Sequence, residues 1–439
     1  MKKLFVETYG CQMNVRDGQE VTGLLLERGY RLTPDEESAD VILYNTCSVR
    51  EQAENRVWSN MGRLKGLKAR RPEVVIGMMG CMAKAHRADA FRRMPHLDFI
   101  SGPAQLYEVP ELIEAIFEER RPMQAIQEKR RPRFQQVEYH AGKVTALVTV
   151  MEGCDKVCSY CIIPYTRGPE VSRPMAQVLE EVRGLAQRGY KEAMLLGQNV
   201  NSYGRRFSGE MGETGRSGAF PELLAKVNEI EGIERIRFIT SHPWDAVEGL
   251  FDAMRDLPKV CEHLHLPVQS GSDEVLKRMR RGYTASEYLS ALGALRQRLP
   301  EGAVSTDLIV GFPGETEEDF EGTVRLVEQA RFDSAFIFKY SPRPFAAASR
   351  WADDVPEEVK DRRLQRLLKL QETISRQKDE RFVGKTVELL VEGVEDGQGL
   401  GRSRCSRKGY FPGAEVSPGE TVLIRVEAIR GHSLMGVRV

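Results

Sequence analysis

The run Glu152-Gly153-Cys154-Asp155-Lys156-Val157-Cys158-Ser159-Tyr160-Cys161 constrains this chain more than any other stretch. Three thiols with three and then two residues between them form a short clamp. Three soft ligands suit an iron-sulfur cluster whose fourth iron is left open to another molecule. A structural zinc site would be closed by a fourth His or Cys. The flanking histidines are distant in sequence, His140 upstream and His242 downstream. A zinc knuckle is the blander alternative.

At 439 residues the chain has material for two or three domains with real cores. Lys plus Arg and Asp plus Glu balance at 64 each, so any surface for nucleic acid must be a local patch. Eight cysteines, with no signal-like start and no apolar run of spanning length, predict a protein of the reducing cytoplasm without a membrane partner.

In the first third, Leu4 to Tyr9 reads as a strand followed by Cys11, with a helix near Gly18 to Arg28. Val41 to Thr46 is a strand ending in Cys47, a helix runs to about Arg70, and Val74 to Met79 is a strand followed by Gly80-Cys81. Each cysteine sits just after the carboxyl end of a strand in a β-α alternation. In an open parallel sheet those ends share one edge, where ligands bind. Cys11, Cys47 and Cys81 should therefore converge and offer a second three-thiolate site. The alternative is three unrelated buried cysteines. Cys261 and Cys405 have no such company and read as structural.

The segments Thr8 to Asn14, Asn45 to Arg50, the clamp running into Pro164-Tyr165-Thr166-Arg167-Gly168, and Leu266 to Ser272 resemble the radical S-adenosylmethionine (SAM) methylthiotransferases over essentially the whole chain. Cys47-Ser48-Val49-Arg50-Glu51 and Gly197-Gln198-Asn199-Val200-Asn201 are most similar to the branch acting on N6-isopentenyladenosine at position 37 of tRNA. The resemblance implies two 4Fe-4S clusters. One is a radical SAM cluster on Cys154, Cys158 and Cys161, and the other is an auxiliary cluster on Cys11, Cys47 and Cys81. It also implies methylthiolation at C2 of that base, an electron donor of flavodoxin or ferredoxin type, and a sulfur or cluster donor. The same chemistry on threonylcarbamoyladenosine or on a ribosomal-protein aspartate is the nearest alternative. A methyltransferase or lyase with one catalytic cluster, and a non-enzymatic RNA module, are the others.

The predicted organisation is α/β throughout the first two parts. An N-terminal open parallel α/β sheet occupies 1–120, a charged, proline-punctuated linker 121–143, and a partial (β/α)6 radical SAM barrel 144–377. A small TRAM-like β-barrel for RNA follows over 378–439. The linker's basic run Glu128 to Arg133 reads as solvated surface or an RNA phosphate contact. Six candidate strands define the middle part: Thr145 to Val150, Ala193 to Leu196, Ile236 to Thr240, His263 to Leu266, Val304 to Val310 and Ala335 to Tyr340. Its chemistry belongs at their carboxyl ends. The loops there offer Gly197, Gln198, Asn199, Ser241, Gln269, Thr306 and Asp307 to SAM. By resemblance, the Gly197 loop meets its amino group and the Thr306 segment lies beside its adenosine.

Asp361 to Phe382 reads as a helical strut. Beyond it, Arg402, Arg404, Arg407 and Lys408 beside Tyr410 and Phe411 combine charge with stacking surface, as RNA binding requires. One departure stands out. After Pro342-Arg343-Pro344 the family continues with glycine, whereas this chain has Phe345, which predicts a differently shaped loop.

Overall fold

The structure, a computed structural model, describes the chain except residues 49–50, 120, 127–133, 135–136, 138, 143, 206, 208–218, 247 and 414 and the side chains of 51–53. The first unit is a six-stranded sheet of β1 (Lys3–Thr8), β2 (Arg31–Leu32), β3 (Val41–Thr46), β4 (Val75–Gly80), β5 (Phe99–Ser101) and β6 (Met123–Ala125), ordered β2-β1-β3-β4-β5-β6 and parallel throughout. Every residue of β3 and β4 is buried, as expected where helices cover both faces. Alternate residues serve opposite cores: Ile42 and Tyr44 pack with Trp58 on one face, Val41 and Leu43 with Leu25 on the other. The first helix starts earlier than its periodicity suggests, spanning Gln12–Glu27 with Cys11 as its N-cap residue.

The sixth strand corrects the linker reading, because Met123–Ala125 belongs to the sheet. Further along, Val137 O and Tyr139 O accept hydrogen bonds from Arg16, so this stretch is packed on the first helix. The basic run from 128 to 133 lies outside the described residues, as does Val49-Arg50 of the Cys47 motif.

In the middle unit, β7 (Thr145–Thr149) is followed by the short antiparallel pair β8 (Met151–Glu152) and β9 (Val171–Ser172). Then come β10 (Glu192–Leu196), β11 (Arg235–Ile239), β12 (His263–His265), β13 (Ala303–Val310) and β14 (Ser334–Lys339). The six long-range strands pair as two parallel triples, β11-β10-β7 and β12-β13-β14, linked by an isolated bridge between Ile236 and Val260. One hydrophobic core joins both triples. Thr284 and Thr316 start helices with reciprocal capping boxes to Glu287 and Asp319. The helix Glu357–Glu380 buries Leu367 and Ile374 against this core.

The last unit is a closed barrel of β15 (Thr386–Glu395), β16 (Gln398–Ser403), β17 (Lys408–Pro412), β18 (Thr421–Arg430) and β19 (Ser433–Arg438). Arg402 lies on β16, and Lys408, Tyr410 and Phe411 lie on β17. Among the described residues no helix is long and apolar enough to cross a membrane.

Candidate functional site

Strand order brings the first three cysteines together. β1, β3 and β4 are neighbours, with Thr8 opposite Asn45 and Thr46 opposite Gly80, so Cys11, Cys47 and Cys81 leave adjacent strand ends. A Cβ on Gly10, whose φ is +123°, would lie 2.4 Å from Cys47 Cβ, so the Cys11 and Cys47 loops touch there. Cys47 and Cys81 are buried and Cys11 is exposed. Burial pushes the Cys81 thiol up, and the adjacent Arg167 guanidinium opposes that shift.

The clamp lies beyond β8. Gly153, at φ +78°, has no room for a side chain, since a Cβ would sit 2.1 Å from Pro169 O. Gln198 accepts a hydrogen bond from Gly153 N at 2.5 Å, tying the clamp to the loop after β10. Arg281 donates to Cys158 Sγ at 3.5 Å and to Pro267 O at 2.8 Å. Burial pushes the Cys154 thiol up to about 11 and the Cys161 thiol up to about 12, with neighbouring Cys158 adding to each.

The two triads face one another across a seam. The short helix Cys81–His86 packs on Ile163–Thr166, the turn after the clamp. From the end of that turn, Arg167 pairs with Asp17 and donates to Asn14 at 3.3 Å, both on the first helix. It also reaches Glu152 at 3.5 Å, beside the clamp. A second bridge runs from Arg16 to Glu181 at 3.2 Å. A third joins Arg343 to Glu54 at 3.2 Å.

Among the described residues, no three His, Cys, Asp or Glu side chains converge where a single metal ion could sit. Each triad instead offers three separate thiols, which fits a cluster giving each thiolate its own iron. Orphaned polar atoms mark a further ligand. Asn199 Oδ1, Ser241 Oγ and His242 Nε2 are buried without a hydrogen-bond partner among the described residues. Burial, then Arg281, Lys156 and Arg205, pushes His242 down to about 2. Its neutral Nδ1 accepts from Trp244 N at 3.2 Å, so Nε2 carries the hydrogen. An acceptor, a donor and a hydroxyl therefore stand ready for a polar group such as an amino acid. A Cβ on Gly197 would meet Met151 Cγ at 2.4 Å, so that turn is a close backbone approach.

Gln269 and Asp307 line a cavity of about 360 Å³ together with Tyr160, Cys161, Tyr340 and Arg343. Gln269 holds φ +75° while its backbone bonds Asp307 O and Ile309 N at 2.9 Å each, which pins its side chain at this wall. Thr306 stands apart. Its hydroxyl donates to Leu266 O and accepts from Val268 N, a role internal to the strand ends. Sequence reasoning missed Arg281, Lys156 and Asp245, the last two paired at 2.8 Å. The adjoining Arg280 and Gly282 give no signal that Arg281 turns inward.

The C-terminal candidates divide. Alternation along β17 turns Gly409 and Phe411 inward, and Phe411 is 1% exposed in the barrel core, so it has no face for a base. Arg404 pairs with Glu262 at 2.6 Å and Arg407 with Asp379 at 2.7 Å, both on the middle unit's side. Arg402 pairs with Glu392 at 2.6 Å within the small barrel. Lys408 and Tyr410 keep outward positions, with Tyr410 Oη donating to Glu395 at 2.9 Å.

Comparison with known proteins agrees with this geometry. The radical SAM superfamily model matches residues 148–327, that of the uncharacterised protein family UPF0004 matches 3–102, and the TRAM domain matches 380–439. The tRNA-2-methylthio-N(6)-dimethylallyladenosine synthase of Delftia acidovorans is 46% identical over 99% of this chain and 98% of its own length. That of Syntrophotalea carbinolica is 42% identical over 100% of both. Among solved structures, the radical SAM methyltransferase TsrM from Kitasatospora setae shares the fold, with a TM-score of 0.57 at 14% identity over 79% of this chain and 74% of that one.

Proposed function

This chain belongs to the tRNA-2-methylthio-N(6)-dimethylallyladenosine synthase family, and on that premise we propose that it methylthiolates C2 of N6-isopentenyladenosine at position 37 of tRNA. It is a radical SAM tRNA methylthiotransferase that uses SAM and iron-sulfur clusters. The observation that supports the two-cluster chemistry is the meeting of two cysteine triads across one seam, with Arg167 in contact with both sides, and the choice of base rests on the similarity to relatives of that name.

Cys154, Cys158 and Cys161 would hold the radical SAM 4Fe-4S cluster, and Cys11, Cys47 and Cys81 the auxiliary one. When bound, these groups and SAM supply the one-electron chemistry that removes the C2 hydrogen, the sulfur that replaces it, and the methyl group on that sulfur. The protein's own work is positioning. Gln198 fixes the start of the clamp and Arg281 its middle cysteine. Asn199, Ser241 and His242 would receive the amino-acid end of SAM, while Gln269 and Asp307 face the cavity where adenosine and substrate base would lie. Thr306 would act indirectly, by holding the strand ends that carry Asp307. Lys408, Tyr410 and Arg402 would meet tRNA beyond the reacting base. The reading entails a cytoplasmic enzyme served by a flavodoxin- or ferredoxin-type electron donor and by a sulfur or cluster donor.

Nucleoside mass spectrometry tests it. Anaerobically reconstituted, reduced enzyme given SAM and isopentenylated tRNA should yield the 2-methylthio nucleoside. Product only from threonylcarbamoyladenosine, or only on a ribosomal-protein aspartate, would overturn the assignment.

A further inference from the structure

The loop after β14 separates two cavities. Its first residues, Tyr340, Ser341 and Arg343, line the cavity beside Cys161. Phe345 lines another of about 360 Å³, whose remaining wall is Lys84, Ala85, Arg87, Pro164, Tyr165 and Thr166. The clamp side divides the same way, Tyr160 to Ile163 facing the first cavity and Pro164 to Thr166 the second. The two spaces are therefore neighbours along the seam.

The second cavity has an uncommon lining. Tyr165 and Phe345 are 50% and 42% exposed, yet their rings stack with centroids 5.8 Å apart and planes 28° from parallel. The Arg87 guanidinium lies over the Phe345 ring at 5.5 Å. Among the described residues, the lining includes the basic side chains Lys84 and Arg87. Both Phe345, at φ +68°, and Arg87, at φ +47°, hold backbone conformations that side-chain-bearing residues seldom take. Phe345 thus adopts the left-handed conformation that glycine would supply freely, so the departure from the family pattern alters the loop's surface by adding a ring. Burial does not account for that strain, because the ring stands half in solvent, and strain of this kind gathers where ligands are clamped. The loop is fastened on both sides of the ring, by Arg343 to Glu54 and by Ala348 N to Ser159 O at 2.7 Å.

Resting on the reading of this chain as a tRNA-modifying enzyme, we propose that Phe345 and Tyr165 form a stacking shelf for the unpaired tRNA base next to the one being modified, with Arg87 on the side of its phosphate. Single-stranded RNA is held by this combination, aromatic faces for the bases and cations for the backbone. Occupying the shelf would fix the register of the loop, and so which nucleotide enters the neighbouring cavity beside Cys161.

The test uses holoenzyme and a synthetic anticodon stem-loop RNA carrying N6-isopentenyladenosine. F345G removes the ring and relieves the backbone, so it should unfold at a temperature no lower than the wild type while binding the RNA about five- to 100-fold more weakly, with an unchanged salt slope. F345Y should bind as the wild type does. R87Q should weaken binding and flatten its salt dependence. Binding by F345G within twofold of the wild type, or failure of F345Y to bind, would overturn the shelf. Wild-type enzyme that binds the stem-loop but never methylthiolates it would overturn the proposed function instead, leaving the F345G comparison to decide the shelf separately.

Discussion

The two cysteine triads do similar work by opposite means. Cys154, Cys158 and Cys161 lie within eight residues, and their spacing is set by local backbone, the left-handed Gly153 and the anchors Gln198 and Arg281. Cys11, Cys47 and Cys81 span seventy-one residues and exist as a group only because β1, β3 and β4 are adjacent and in register. The first is a property of a loop, the second of a topology. A loop can be broken by changing a few contacts around it, whereas the distributed triad should respond to anything that shifts a strand end or loosens the first helix.

Removing the ligands has the largest effect. Cys154, Cys158 and Cys161 replaced together by Ala should lower iron and acid-labile sulfide to about half and abolish reductive SAM cleavage. Replacement of Cys11, Cys47 and Cys81 should lower iron equally and abolish methylthio product while SAM cleavage persists. Iron analysis and product chromatography separate the cases, and an unchanged cluster content in either variant would dismiss that ligand set. Next in size is Arg167→Met, which leaves Asp17 a buried carboxyl without its cation. Breaking such a pair costs roughly 3–5 kcal/mol. The seam should loosen, with the distributed triad losing iron before the clamp does. Unaltered thermal unfolding would show that Arg167 does not hold the seam.

This contrast also explains what could be read in advance. Runs such as Val41 to Thr46 declare a buried strand by composition alone, and the six strands predicted for the middle unit each fall within a residue or so of an observed one, the short pair β8 and β9 being additional. Alternation of strand and helix then implied a shared edge for three distant cysteines. What escaped was whatever depends on contacts between units. Arg404 and Arg407 look like RNA ligands in sequence, but their partners, Glu262 and Asp379, lie far away in the chain. Phe411 was misread for a nearer reason. Gly399 and Gly409 make β16 and β17 look like loop, yet they clear space for core side chains, a Cβ on Gly399 falling 2.4 Å from Phe411 Cζ.

Glycine substitutions sharpen the comparison at smaller cost. Gly10→Ala forces a Cβ against Cys47 at a positive φ, and Gly153→Ala does so against Pro169 O. Each should destabilise its own locus by roughly 1–3 kcal/mol. The first should slow cluster assembly at the distributed triad alone, the second at the clamp alone. Mössbauer spectra of the two variants, each compared with the matching cysteine triple variant, would identify which cluster is lost. Equal loss of both clusters in Gly10→Ala would mean that the triads assemble as one unit.

The smallest effect is a pH dependence confined to one triad. Glu20 lies on the helix that begins beside Cys11, and burial, outweighing Arg16 at 3.1 Å, pushes its carboxyl up to about 7. In the unfolded chain the same group titrates near 4.5, so the folded helix binds a proton more tightly between those values. Its contribution to stability is therefore complete below about 4.5 and is lost as pH rises through about 7, amounting to about 1 kcal/mol between pH 6 and 7.5. Since Arg16 and Asp17 on this helix also carry the bridges to Glu181 and Arg167, weakening it loosens the support of Cys11 while leaving the clamp's anchors in place. Amide protection across Gln12–Glu27, taken relative to the intrinsic base-catalysed exchange rate at each pH, should fall over that pH interval in the wild type but not in Glu20→Gln, and protection at Gly153 to Cys161 should be indifferent. A pH response of equal size at the clamp would erase the distinction between a triad built by a loop and one built by a sheet.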